Sequence, residues 1–189
     1  TACGGDGDSG GEGGQSVSLL HAIAGTEEQA ALQEALDAYD DLLRLYPTSE
    51  YAAQGREKIR LVKENLAEHE FMVGQFYMTF GLPRAAVERF ELALRLDPGS
   101  AQAYQQLGEI LRYENRIGEA EQRFRDGLKA RPGEPRLLVD LGLALGDQMR
   151  YDEAFACIEQ ALSHDARWPV ALAAKGILMD LTGKSAEAE

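Results

Sequence analysis

Small and large apolar positions recur along this chain with one long, fixed period. Gly74, Gly108, Gly142 and Gly176 stand 34 residues apart. Tyr77, Leu111, Leu145 and Met179 follow them at three residues, and Ala86, Ala120, Ala154 and Ala188 at twelve. Phe90, Phe124 and Ile158 follow the first three glycines at sixteen residues. Pro98 and Pro132 follow the first two at twenty-four, with Ala166 in the third place. Val73, Leu107 and Leu141 precede the glycines, and Lys175 breaks that column. No segment alternates apolar and polar residues over several positions, so no sheet is expected.

Two kinds of break punctuate each period. Inside it lie Phe80-Gly81-Leu82-Pro83, Asn115-Arg116-Ile117-Gly118, Gln148-Met149-Arg150 and Thr182-Gly183-Lys184. Between periods lie Asp97-Pro98-Gly99-Ser100 and Arg131-Pro132-Gly133-Glu134. Pro83 suits the first turn of a second helix, and the Pro-Gly pairs stop one unit and start the next. Each period therefore predicts a helical hairpin. Small Gly and Ala sit where paired helices cross closely, and large side chains fill the space between one hairpin and the next.

These columns resemble the tetratricopeptide repeat. The resemblance implies an all-α solenoid of stacked hairpins, wound as a right-handed superhelix. Regular repeats are expected at 67–100, 101–134 and 135–168, with a partial one at 169–189. A hairpin cannot bury its apolar face alone, and an open end needs a polar cap. Because the sequence stops at Glu189, just inside a second helix, truncation or cover by another chain is expected there.

The first half is arranged differently. Over 26–46, Ala31, Leu32, Ala35, Leu36, Tyr39, Leu42, Leu43 and Tyr46 recur at three- and four-residue steps, which predicts an amphipathic helix. Thr26-Glu27-Glu28 starts it and Tyr46-Pro47-Thr48-Ser49 ends it. Next come Tyr51, Lys58-Ile59, Val62-Lys63, Leu66-Ala67, Glu70, Val73, Phe76-Tyr77, Gly81, Ala85-Ala86 and Arg89. Across 46–100 this resembles the BamD/YfiO family of outer-membrane assembly lipoproteins, including an inserted helix at 50–66. That family carries further repeats before this region, where this chain has a glycine tether and one helix. In this chain regular repeats also continue after it. The resemblance therefore implies the lipid-anchored, periplasmic, partner-docking part of such a protein.

Composition sharpens that picture. Residues 4–14 read GGDGDSGGEGG, which has no apolar surface to offset the ordering entropy of glycine, so a flexible tether is expected. Ahead of it, Thr1-Ala2-Cys3-Gly4 resembles a bacterial lipoprotein cleavage site. This implies acylation at Cys3 and outer-membrane sorting, with residues 1–18 comprising the remnant of that site and the flexible Gly/acidic linker. Thr1 and Ala2 still precede the cysteine, as in a fragment or an unprocessed chain. The repeat domain is then 19–189. Lys and Arg number 19 against 32 Asp and Glu, a net charge of −13. That balance disfavours a nucleic-acid partner and favours a basic or neutral polypeptide. The only other cysteine, Cys157, is expected as a small buried hydrophobe.

Candidate chemistry is sparse. His69-Glu70 begins like a zinc-protease motif, but Val73 stands where the second histidine belongs. Gly183-Lys184-Ser185 lacks the leading glycine of a phosphate loop, with Leu178 in its place. No nucleophile elbow is present. A non-enzymatic protein with no metal, cofactor or small-molecule substrate is expected, with function on the groove lined by the first helices. Helical phase places Phe71, Met72, Gln75 and Met78 there, then Gln105, Gln106, Glu109, Arg112 and Tyr113, then Val139, Asp140, Leu143 and Ile177. For Phe71, Met72 and Met78, burial in the core stands as the other reading. Repeats that clamp C-terminal carboxylates use Lys and Asn where Phe71 and Gln75 stand, so that activity is not implied. The function implied is a periplasmic scaffold that docks envelope proteins in outer-membrane protein assembly. Two other readings stand beside it: a pilotin-like repeat lipoprotein serving a secretin or type IV pilus, and a regulatory module of a longer protein.

Overall fold

A computed structural model describes residues 30–183. The expected anchor at Cys3, the linker within 1–18, the helix start at Thr26, and Lys184, Ser185 and Ala188 lie outside the described residues. Helices follow one another: α1 (30–45), α2 (Ala52–Thr79), α3 (Pro83–Leu96), α4 (Ala101–Tyr113), α5 (Ile117–Ala130), α6 (Pro135–Asp147), α7 (Tyr151–His164) and α8 (Pro169–Thr182). Among the described residues there is no strand, and no helix is long and apolar enough to cross a membrane.

The chain divides into two compact units between Leu66 and Ala67. In the first, α1 and the start of α2 form a hairpin. Leu36 and Ala52 are buried, and Gly55 lets the helices meet, since a Cβ there would lie 3.2 Å from Leu42 Cδ2. The turn between them closes through the Ser49 amide donating to the Tyr46 carbonyl at 3.2 Å. One expectation changes here. The inserted helix at 50–66 and the first helix of the following repeat are a single 28-residue helix, α2. Asn65 and Glu68 have the spacing of a helix start, yet no Gly or Pro breaks the run and the helix continues through them.

In the second unit the helices pack pairwise, α4 on α5 and α6 on α7, with α5 on α6 and α7 on α8 joining the pairs. The two strongest columns of the sequence meet in space. A Cβ on Gly74 would lie 2.6 Å from Phe90, and one on Gly142 would lie 2.9 Å from Ile158. Gly108 stands in the same relation to Phe124. The large residues of the sixteen-residue column thus fill the crossing inside their own hairpin. Phe90 also joins Leu107 and Ile110 of the next helix in one buried cluster. A larger cluster gathers Phe124, Leu137, Leu145, Ile158 and Leu178.

The turns inside the hairpins share one backbone state. Gly81, Asn115, Met149 and Gly183 have φ of 69, 62, 61 and 71°. Left-handed geometry at the residue after a helix returns the next amide to an orphan carbonyl. So the Leu82, Arg116 and Arg150 amides donate to the Tyr77, Leu111 and Leu145 carbonyls at 3.0, 2.8 and 2.9 Å. Between hairpins, side chains close the turns: Asp97 Oδ1 accepts from the Gly99 amide at 2.8 Å and Ser100 Oγ from the Ala103 amide at 3.4 Å. Cys157 is half-buried against the larger cluster, and burial pushes its thiol pKa up.

Candidate functional site: the cleft between α4 and α6

The facing stripes of α4 and α6 enclose an open cleft of about 740 Å³. It gathers five of the residues that helical phase selects: Glu109, Arg112 and Tyr113 from α4, and Asp140 and Leu143 from α6. The structure adds Arg136 and Asp147 to the lining. Both were legible in principle, being four residues before and seven after Asp140, on its own helical stripe.

Ion pairs join the two helices across the cleft. Arg112 of α4 holds Asp147 of α6, with Nη2 3.4 Å from Oδ1. Arg136 Nη2 of α6 stands 3.6 Å from Glu109 Oε1 of α4. Glu109 is further fixed by its own helix: Gln105 Nε2 donates to its Oε1 at 2.9 Å and Gln106 Nε2 to its Oε2 at 3.1 Å. Gln105 and Gln106 therefore act by placing Glu109.

Asp140 is the exception in this network. It is 7% exposed, and its Oδ2 accepts no hydrogen bond. The nearest cation is Arg136 Nε at 3.5 Å. Burial pushes the carboxyl pKa up to about 6; Glu109 adds to the shift, while Arg136 and Arg112 pull against it.

The other expected groove residues are placed elsewhere. Val139 is fully buried within the larger core cluster, and a side chain without solvent contact cannot meet a partner. Phe71 is partly buried, its ring centroid 5.4 Å from that of Phe90, and so shares in the core. Met72, Gln75 and Met78 are exposed on α2, and Ile177 is exposed on α8; none of the four lines the cleft. Glu70, the acid of the incomplete protease motif, is 1% exposed and accepts from Arg89 Nη1 at 3.0 Å, an internal ion pair.

Stacked helix pairs with a polar groove on their first helices define the class: a tetratricopeptide-repeat protein, as the repeat match over residues 135–166 also shows. A second match runs over residues 15–126, more than half of the chain, and the chain belongs to the YfiO outer membrane lipoprotein family. That membership places it at the bacterial outer membrane. Curated relatives carry the description outer membrane protein assembly factor BamD. The protein from Caulobacter vibrioides is 32% identical over 100 residues, 53% of this chain and 33% of the relative. The one from Rickettsia prowazekii is 40% identical over 55 residues, 29% of this chain and 22% of the relative. The chain thus matches no more than about a third of the length of these relatives. Among solved structures, Pseudomonas aeruginosa pilF is similar with a TM-score of 0.55 and 25% identity, covering 83% of this chain and 72% of that one.

Proposed function

We propose that this protein is a non-enzymatic, lipid-anchored scaffold facing the periplasm that docks envelope polypeptides during outer-membrane protein assembly. The family match across residues 15–126 carries this reading, since the relatives it joins are assembly factors. The cleft between α4 and α6 supports it, offering a concave surface whose charged groups are held in place by one another. Cys3 is the acylation site in this reading, and residues 4–18 are the tether. Acyl chains contribute about 0.8 kcal/mol per buried methylene, so several together hold the protein at the membrane. Exposed Met72, Met78 and Tyr113 extend the docking row with adaptable apolar surface.

Crosslinking and co-purification from native membranes test the reading. Subunits of the outer-membrane assembly machinery are expected among the captured chains; secretin or pilus subunits alone would overturn it in favour of a pilotin-like role. Met72→Glu combined with Tyr113→Ala is expected to reduce capture while helicity by circular dichroism stays at the wild-type value. Cys3→Ala is expected to release the protein into the soluble periplasmic fraction, and unchanged membrane fractionation would refute the anchor.

A further inference from the structure

Two acids compete for one guanidinium in the lining of the cleft. Arg136 on α6 stands 3.5 Å from Asp140 Oδ2, one turn along its own helix, and 3.6 Å from Glu109 Oε1, across the cleft on α4. Both distances exceed a good hydrogen bond, so neither acid has captured the cation. The other guanidinium of the lining, Arg112, is bound by Asp147. The two competitors differ in their surroundings. Glu109 is 40% exposed, and the Gln105 and Gln106 amides hold its charge. Asp140 is buried, and its Oδ2 accepts no hydrogen bond. Its carboxyl therefore takes up a proton at about pH 6, for which burial is the first cause and Glu109 the second. Arg136 and Arg112 pull the other way. On the other helices packed against α6, Glu121 of α5 and Glu153 of α7 are held by Arg150, and Lys175 of α8 is bound to Glu159.

We propose that Asp140 is a proton switch for this cleft: charged, it holds Arg136 back within α6, and protonated, it releases Arg136 to bridge to Glu109 on α4. The proton comes from solvent, which reaches the carboxyl through the small exposed part of the residue. Once Asp140 is neutral, Glu109 is the acid that attracts Arg136, and the guanidinium closes to hydrogen-bond length on it. The bridge then joins the two walls of the cleft. Three carboxylates face two guanidiniums in the lining, so protonation also takes the cleft from one excess negative charge to balance. A basic segment is drawn to the first state and not to the second. The switch goes beyond the docking reading and does not depend on what the cleft docks.

Two measurements on the protein alone test it. The first follows the Arg136 Nε–H resonance by nitrogen NMR between about pH 8 and about pH 5, a range above an ordinary carboxylate. One transition centred near 6 is expected in wild type, and none in Asp140→Asn. The second is a double-mutant cycle of Glu109→Gln and Arg136→Gln in urea. The coupling factor between the two substitutions is expected to be about two- to fivefold larger at about pH 5 than at about pH 8. In Asp140→Asn it should stay at the larger value at both. The wild-type titration and the cycle both stand even if Asp140→Asn folds poorly. A flat Arg136 titration would overturn the switch, because Arg136 would then not respond to Asp140. Equal coupling at the two pH values would overturn it as well, because Arg136 would then not pass to Glu109.

Discussion

The ring of Phe124 fills the space in which a side chain on Gly108 would stand. Both residues are buried, and the contact fixes how closely α4 and α5 cross. Gly108→Ala should therefore force the ring or the helices to move, at a cost of about 1–3 kcal/mol. Gly176 occupies the same column of the repeat, yet a Cβ there meets nothing within 4 Å. Gly176→Ala should instead gain up to about 1 kcal/mol from helix propensity. Urea unfolding of the two variants checks the contrast, and equal effects would show that close packing does not explain the column.

The columns were legible because their residues repeat every 34 positions, but the pairing was not: the spacing places large residues between hairpins, whereas Phe124 fills the crossing inside its own. The hairpins, their turns and the absence of strands among the described residues follow from the same redundancy. Continuity of α2 across residue 66 was less visible, because Asn65 and Glu68 have the spacing of a helix start although no Gly or Pro breaks the run. The groove was legible by phase alone, and phase does not say how far the neighbours reach. Val139 is one residue before Asp140, a step of about 100° around the helix, which turns it from the cleft into the core. Arg136 and Asp147 lie at the two ends of α6, and only the facing helix shows their partners.

Met149 sits at φ 61° in the turn where Gly81 and Gly183 take the same state without a side-chain penalty. Its side chain is 76% exposed, so little packing is lost by removing it. Left-handed backbone costs an ordinary residue about 1–2 kcal/mol, partly offset by the greater chain entropy that glycine loses on folding. Met149→Gly is expected to raise stability by about 0.5–1 kcal/mol, visible as a higher thermal midpoint. A lower midpoint would mean that the turn is not strained at this position.

Glu70 and Arg89 join α2 to α3 through an acid that is almost wholly buried and a guanidinium that is partly exposed. Removing the base strips a charge-assisted bond from a buried carboxylate. Arg89→Ala should cost about 1.5–3 kcal/mol. Arg89→Lys should recover part of that loss, since it restores the charge without the planar fork. Glu70→Gln with Arg89→Ala completes a double-mutant cycle. Strict additivity of the two single effects would show that the pair contributes no coupling.

Asp140 carries a stability cost with a definite pH signature. Its carboxyl is held up at about 6 in the folded chain against an ordinary 3.8, so the folded state binds the proton more tightly than the unfolded one. Stability from this group is fully present below the unfolded value and is lost as pH rises through the folded value, that is, between 3.8 and about 6. Asn at this position keeps the shape without the charge. Asp140→Asn should therefore unfold at higher urea than wild type at about pH 8, by roughly 1–3 kcal/mol, with the gap closing near pH 4. Glu109 and Arg112 on α4 and Arg136 on α6 are the charged groups acting on it. Glu109→Gln should lower the Asp140 pKa and narrow the same gap, because a neighbouring negative charge is removed. Carboxyl titration followed by carbon NMR reads both effects directly. A wild-type protein no less stable than Asp140→Asn at high pH would mean that the buried oxygen is satisfied in solution.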